Sequence, residues 1–114
     1  MQESKAKQTD IKMTARKLRR VINLVRGKGA QEAVEMLHFM PYFAARVVEQ
    51  NIRAAIANAV EKYGSSLLPL KVAEIYADES VTYKRAKARA QGRMYKRVKR
   101  TAHLTVRLAS NETK

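Results

Sequence analysis

The sequence predicts an α+β fold: three helices packed on a small antiparallel sheet, with a long basic β-hairpin extending from the body. Three observations predict it. Apolar residues recur at helical spacing between Ala15 and Tyr63, and they alternate with period two over Arg100–Leu108 and, less strictly, over Leu70–Ala77. Between those two strands lie about twenty residues rich in positive charge and poor in apolar side chains. At 114 residues the chain is one domain, because two cores do not fit this length. Its body is expected at 1–79 and 100–114 and its extended hairpin at 80–99.

Met1–Asp10 is polar, with a short strand expected around Lys5–Gln8. Thr14 suits the N-cap of a first helix over Ala15–Arg26, and Gly27 is placed to end it. Leu18, Val21, Ile22 and Val25 follow the i, i+3, i+4, i+7 pattern of a buried stripe, and Arg16, Arg19, Arg20 and Arg26 fall on the opposite face. A second helix over Ala30–His38 turns Ala30, Ala33, Val34 and Leu37 inward. Pro41 suits the first turn of a third helix, Tyr42–Tyr63, which stops near Gly64. Ala44, Val48, Ile52, Ala55, Ile56 and Ala59 form its apolar stripe, with Arg46, Gln50, Arg53 and Glu61 facing away. After a loop at Ser65–Pro69, the Leu70–Ala77 strand is interrupted at Ala73-Glu74, where a bulge is expected. In Arg100–Leu108 the residues Ala102, Leu104, Val106 and Leu108 share one face, and Thr101, His103, Thr105 and Arg107 share the other.

Charge then narrows the function. There are 24 Lys and Arg against 10 Asp and Glu, a net +14, which favours a polyanionic partner. The placement is uneven. Residues 84–100 contain Lys84, Arg85, Lys87, Arg89, Arg93, Lys96, Arg97, Lys99 and Arg100 without one acid, and residues 12–28 contain Lys12, Arg16, Lys17, Arg19, Arg20, Arg26 and Lys28, again without one. A face that is merely solvated intermixes the signs, so these two stretches are the candidate RNA-binding residues. No run approaches the roughly 20 apolar residues of a spanning helix, and no basic-then-apolar signal opens the chain. There is no cysteine, so neither disulfides nor Cys-based metal sites arise.

The 80–99 segment has no core of its own. Extending both strands into a hairpin that turns near Ala90-Gln91-Gly92 gives arms of about nine residues, a reach of about 30 Å. A two-stranded ribbon alone is marginal in water, and like charges facing across it weaken it further. Such a ribbon calls for a partner that surrounds it with negative charge, as folded RNA does. The competing reading of this segment is an unstructured basic loop.

No reaction can be written from the chain. His38 and His103 lie far apart in sequence, with no Cys or acid at metal-ligand spacing along the chain, and Asp78 and Glu79 are strand neighbours that point to opposite faces. Gly27-Lys28-Gly29 follows a helix and reads as a cap and turn, not a phosphate loop. No cofactor, metal or catalytic set is expected.

Four segments in order resemble the large-subunit ribosomal protein L-twenty-two family over essentially the whole chain. Thr14-Ala15-Arg16-Lys17 stands where the family usually has Ser-Pro-Arg-Lys, and Arg19–Lys28 is similar to its Arg-x-Val-x-x-x-Ile-Arg-Gly-Lys helix end. Ala54-Ala55-Ile56-Ala57-Asn58-Ala59 is similar to its Ser-Ala-x-Ala-Asn-Ala segment. Arg89-Ala90-Gln91-Gly92-Arg93, followed by Lys99-Arg100-Thr101-Ala102-His103-Leu104-Thr105, resembles its Arg-Ala-x-Gly-Arg hairpin tip and Arg-x-x-His-Ile-x strand. The resemblance implies a structural constituent of the large ribosomal subunit that binds its RNA, supports assembly and sits among neighbouring ribosomal proteins as a single copy. It also implies a hairpin whose tip, Arg89, Ala90, Gln91, Gly92 and Arg93, lines the exit tunnel and meets the nascent peptide. Two departures stand out: Asp78-Glu79-Ser80-Val81 replaces the usual Asp-Glu-Gly-Pro, and Ala88 stands where many members have Pro. Phe39-Met40-Pro41-Tyr42 is similar to the cyanobacterial and plastid branch. A chain rich in Ala and Arg favours the bacterial cytoplasm over the plastid stroma.

Three rivals remain to be weighed. A helix-turn-helix regulator needs a recognition helix that reads bases, but the second helix carries Glu32 and Glu35. A membrane-surface protein needs large apolar residues such as Trp or Phe bordering its basic face; there is no Trp, and both Phe residues flank Pro41. An enzyme needs a catalytic set, which the sequence does not offer.

Overall fold

The computed structural model describes residues 2–88 and 94–110. Three strands and three helices follow in the order β1 (Glu3–Ile11), α1 (Ala15–Val25), α2 (Ala30–His38), α3 (Phe43–Tyr63), β2 (Leu70–Ala88) and β3 (Met94–Ser110), with a 3-10 turn at Gly64–Ser66 after α3. The strands form one antiparallel sheet in the order β1-β3-β2. Three helices packed on a three-stranded sheet is the α+β class that the two periodicities predict.

The helix boundaries have local causes. The Thr14 hydroxyl accepts from the Lys17 amide and opens α1. Gly27 follows the end of α1 at φ +83°, a left-handed conformation that side chains with a Cβ rarely adopt. α3 is capped by Tyr42 rather than begun by Pro41, so the proline stands one residue outside the helix. The apolar stripes meet the sheet as expected: Leu18 and Ile22 of α1, Leu37 of α2 and Val48 and Ile52 of α3 are fully buried with Val72, Ile75, Leu104, Val106 and Leu108. Ile56, expected in the stripe, is only partly buried at its border.

β1 is longer than its sequence suggests, pairing with β3 from Glu3↔Ala109 to Ile11↔Ala102. Its buried positions are Ser4, Ala6 and Ile11, and the first two are too small to show a hydropathy pattern. Hydrogen bonds to α3 hold it instead. The Ser4 hydroxyl donates to the Ala55 carbonyl at 2.8 Å, Asn58 donates to the Lys5 carbonyl at 3.0 Å, and the Tyr63 hydroxyl accepts from the Glu3 amide at 2.9 Å.

β2 and β3 pair from Leu70↔Ser110 to Ala88↔Met94. The register shifts between Val72 and Glu74, where the bulge at Ala73 was expected, and again between Glu79 and Thr82. Beyond Ile11↔Ala102 the sheet has lost its β1 partner, and the pairs from Thr82↔Arg100 outward form a two-stranded ladder. The molecule measures 69 × 25 × 19 Å along its principal axes. The expected turn at Arg89, Ala90, Gln91, Gly92 and Arg93 lies outside the described residues.

Because β3 is central, β2 has a free edge, and free edges invite unwanted pairing. Here the segment after α1 covers it. The Gly27 amide donates to the Val72 carbonyl at 3.1 Å, the Val72 amide donates to the Lys28 carbonyl at 2.8 Å, and Gly29 bridges to Lys71. Gly27-Lys28-Gly29 is therefore a cap that doubles as edge cover.

Candidate nucleic-acid interface

α1 buries Ala15, Leu18, Val21, Ile22 and Val25. Helical geometry therefore sends Lys17 and its arginines outward. Lys12, Arg16, Lys17, Arg19, Arg20 and Arg26 are all exposed, and Lys28 is half-buried. Among the described residues, no ion pair involves any of these seven.

Two of the seven have a structural task as well. Arg19 donates to the Ala77 carbonyl at 2.8 Å, and Arg26 donates to the Ile75 carbonyl at 2.9 Å and to Asn23 Oδ1 at 2.8 Å. Both carbonyls belong to the open edge of β2. A neutral carbonyl leaves the guanidinium charge intact, and each guanidinium keeps further donors. The contacts therefore fix where these two charges stand without cancelling them.

Elsewhere the arginines are neutralised. Glu49 is a buried carboxylate on α3. It accepts from Arg46 Nη1 at 2.9 Å and from Arg53 Nη2 at 2.8 Å, with His38 Nδ1 3.5 Å away. Burial, the largest influence, pushes the Glu49 carboxyl up, but the hydrogen bond and charge of Arg53, with His38 and Arg46, together hold it below its ordinary value. Arg46 also donates to the carbonyls of Leu37, His38 and Met40, closing the C-terminal end of α2. It therefore does not face away as its helix position suggested. On the sheet, Arg107 donates to Glu74 at 2.9 Å and to Glu3 at 3.1 Å. Those hydrogen bonds, Glu74 first, raise the Arg107 pKa further.

The second basic stretch lies on the distal ladder. Its register places Tyr83 opposite Lys99, Lys84 opposite Val98, Arg85 opposite Arg97, Ala86 opposite Lys96 and Lys87 opposite Tyr95. Val98, Tyr83 and Tyr95 thus each stand across from a basic residue and not from one another. Arg100 pairs with Thr82. Arg89 and Arg93 lie outside the described residues. The two basic stretches are joined where α1 meets β2, since Arg19 reaches Ala77 on the strand that leads into the ladder.

One surface feature escaped the charge pattern. Phe39, Tyr42 and Phe43 are exposed where α2 turns into α3, and Tyr42 and Phe43 share a hollow with Lys17 and Arg20. Two Phe beside a proline read as a broken helix junction, and nothing in the sequence placed them next to α1. Asp78 and Glu79 are exposed on β2, opposite His103 and Ala102. Among the described residues, no cluster of His, Asp and Glu is arranged to hold a metal ion, and no helix is long and apolar enough to cross a membrane.

These elements define a small basic α+β protein whose positive charge is gathered on one helix face and one strand ladder. The chain belongs to the family of ribosomal protein L22p/L17e, whose model matches residues 6–109. It is 44% identical over 115 residues to the large ribosomal subunit protein uL22 of Bifidobacterium longum (strain NCC 2705), covering 96% of this chain and 97% of that one. It is 42% identical over 104 residues to the proteins of the same name from Clostridium novyi and Synechococcus sp. (strain JA-3-3Ab), covering 91% of this chain in each case and 94% and 85% of the relatives. The family is structural and not enzymatic.

Proposed function

We propose that this protein is a structural constituent of the large ribosomal subunit in a bacterial cytoplasm, and that it binds the subunit's RNA through α1 and the β2–β3 ladder. The observation that carries this is the acid-free face of α1. Arg16, Lys17 and Arg20 stand exposed with no carboxylate partner among the described residues, while Arg46, Arg53 and Arg107 are all paired. Among the described residues, Glu3, Glu49 and Glu74 pair with Arg46, Arg53 and Arg107 and no acid pairs with the α1 arginines, which leaves the second set for an external anion. Membership of the L22p/L17e family supports the RNA of the large subunit as that anion.

In this reading residues 1–79 and 100–114 are a body that docks on folded RNA and supports its assembly beside neighbouring ribosomal proteins. Residues 80–99 are an arm that enters the RNA, where phosphates on all sides stabilise a ladder with Arg85 across from Arg97. Its tip, Arg89–Arg93, lines the exit tunnel: the arginines hold phosphate on the wall, and Gly92 keeps the passage free of a side chain. The plastid stroma is the alternative compartment, supported by the cyanobacterial relative.

Sedimentation tests the reading. Tagged protein should migrate with large subunits on a sucrose gradient and leave them in high salt; protein confined to the top of the gradient overturns it. Gly92→Trp should assemble normally and change stalling on particular nascent peptides. A variant that assembles with an unaltered ribosome profile removes the tip from the tunnel.

A further inference from the structure

The hollow between α1 and the start of α3 has a floor of Met13, Val21 and Ala44 and a rim of Lys17, Arg20, Tyr42 and Phe43. Its volume is about 220 Å³. That is below the 300–1,000 Å³ of drug-sized sites, so it suits one flat group rather than a folded segment. The floor is anchored: Val21 and Ala44 are buried, and Met13 packs against the core. The rim is not. Phe43 is 67% exposed and Tyr42 55%, and Phe39 on the adjoining turn is 84% exposed.

Single exposed apolar residues need no explanation. Three aromatics within five residues, two of them beside cations that meet no carboxylate among the described residues, are a different matter. If this were a site for an apolar protein segment, Leu or Met would serve, and flanking cations would hinder burial. If it were only solvated surface, exposed rings would gain nothing. A π-face next to a cation, with no acid among the described residues of the rim, fits a nucleotide whose base has left its helix. The base stacks on an aromatic ring while its phosphate meets Lys or Arg.

We infer that Tyr42 and Phe43 form a stacking platform for one unpaired RNA base, with Lys17 and Arg20 holding its flanking phosphates. This rests on the RNA-binding reading above and adds to it. The α1 face alone binds any phosphate backbone, whereas the notch selects RNA in which a nucleotide is extruded.

The test uses the full chain, an octamer of adenylate and a fully paired RNA duplex. The double variant Tyr42→Leu/Phe43→Leu keeps apolar bulk at exposed positions and removes the π-faces, so the fold is retained. Affinity for the octamer should fall about fivefold or more, since base–aromatic stacking is worth ~1–3 kcal/mol per base. Duplex affinity and the salt slope should stay unchanged, because stacking releases no counterions. In the wild-type protein, the octamer should shift the Tyr42 and Phe43 ring protons upfield. Equal octamer affinity in both proteins, or rings that do not shift, overturns the notch and leaves the RNA-binding reading intact. Leucine variants that bind the octamer normally but lose a neighbouring ribosomal protein in reconstitution overturn it in favour of a protein contact. If the wild type binds neither RNA, both readings fall.

Discussion

α1 and α3 each present arginines to the surface, and the two helices use them oppositely. On α3, Arg46 and Arg53 converge on one buried carboxylate, and Arg46 closes three carbonyls at the end of α2. On α1, Arg16 and Arg20 meet no acid among the described residues, and Arg19 and Arg26 meet only neutral carbonyls. In the proposed function, the difference separates charge used to build the body from charge kept for a partner. A buried ion pair returns its Coulomb gain against desolvation and chiefly fixes geometry. An unpaired exposed cation contributes little to the fold, and a row of them is mildly unfavourable until an anion arrives.

The largest expected effect lies at Glu49. Replacing it with Leu leaves Arg46 half-buried and uncompensated and removes the acceptor shared with Arg53. Loss of one partner from a fully buried pair typically destabilises by ~3–5 kcal/mol. Arg53 is 57% exposed here, so solvent takes up part of its charge and about 2–3 kcal/mol is expected. Urea unfolding should show a lower midpoint at constant slope, while the folded variant's RNA salt dependence stays as in the wild type. A variant of wild-type stability would place the α3 arginines in the same category as those of α1.

Arg19 and Arg26 sit between the two classes, which sharpens the comparison. Their double change to Gln should lower stability by about 1–2 kcal/mol, because the Ile75 and Ala77 carbonyls lose charged donors but remain near solvent. It should also flatten the RNA salt slope. Loss of only one of these properties would assign both residues wholly to the body or wholly to the partner.

Arg16→Gln/Arg20→Gln should alter stability by less than about 0.5 kcal/mol, as exposed changes without contacts do. Its effect belongs to binding: the slope of log affinity against log salt should decrease by roughly 1.4–1.8, two counterion equivalents. An unchanged slope would return this face to ordinary solvent.

What the sequence made legible follows from where hydrophobicity sets the structure. The 3.6-residue stripes of α1 and α2 fixed their inward faces, and the break at Ala73-Glu74 located a bulge. β1 was seen only in part because two of its inward side chains, Ser4 and Ala6, are small; hydrogen bonds to α3, including Tyr63, hold it instead. Glu49 and Asn51 were invisible as buried residues. A charge or amide on a helix reads as outward unless its surroundings are known: Glu49 meets Arg46 and Arg53 of its own helix but also His38 of α2, and the partners of Asn51 lie on β1 and β3. Asn51, for example, donates to the carbonyls of Leu104 at 3.3 Å and Ala6 at 3.5 Å. For the interface, charge segregation exposed both basic stretches. The docking of Arg19 and Arg26 on β2, and the aromatics beside Lys17 and Arg20, depend on tertiary placement that no local pattern carries.

The smallest effect is expected on acidification, and its sign distinguishes the two helices again. The Glu49 carboxyl is held below its ordinary value of 4.5 by Arg53, His38 and Arg46 despite burial. A carboxyl depressed in the folded state binds protons more readily when the chain is unfolded. Its contribution to stability is therefore present in full above the unfolded value and is lost as pH falls through the lower folded value. The stability gap between wild type and Glu49→Leu should be constant from neutral pH to about pH 5.5, a unit above the ordinary value. It should narrow below pH 4.5. The α1 face has no carboxylate partner among the described residues, so Arg16→Gln/Arg20→Gln should track the wild-type acid-unfolding curve throughout. Urea midpoints measured at half-unit pH steps will decide this. A gap at Glu49 that stays constant to the acid limit would mean that its charge does not hold α2 to α3 and that its packing alone does.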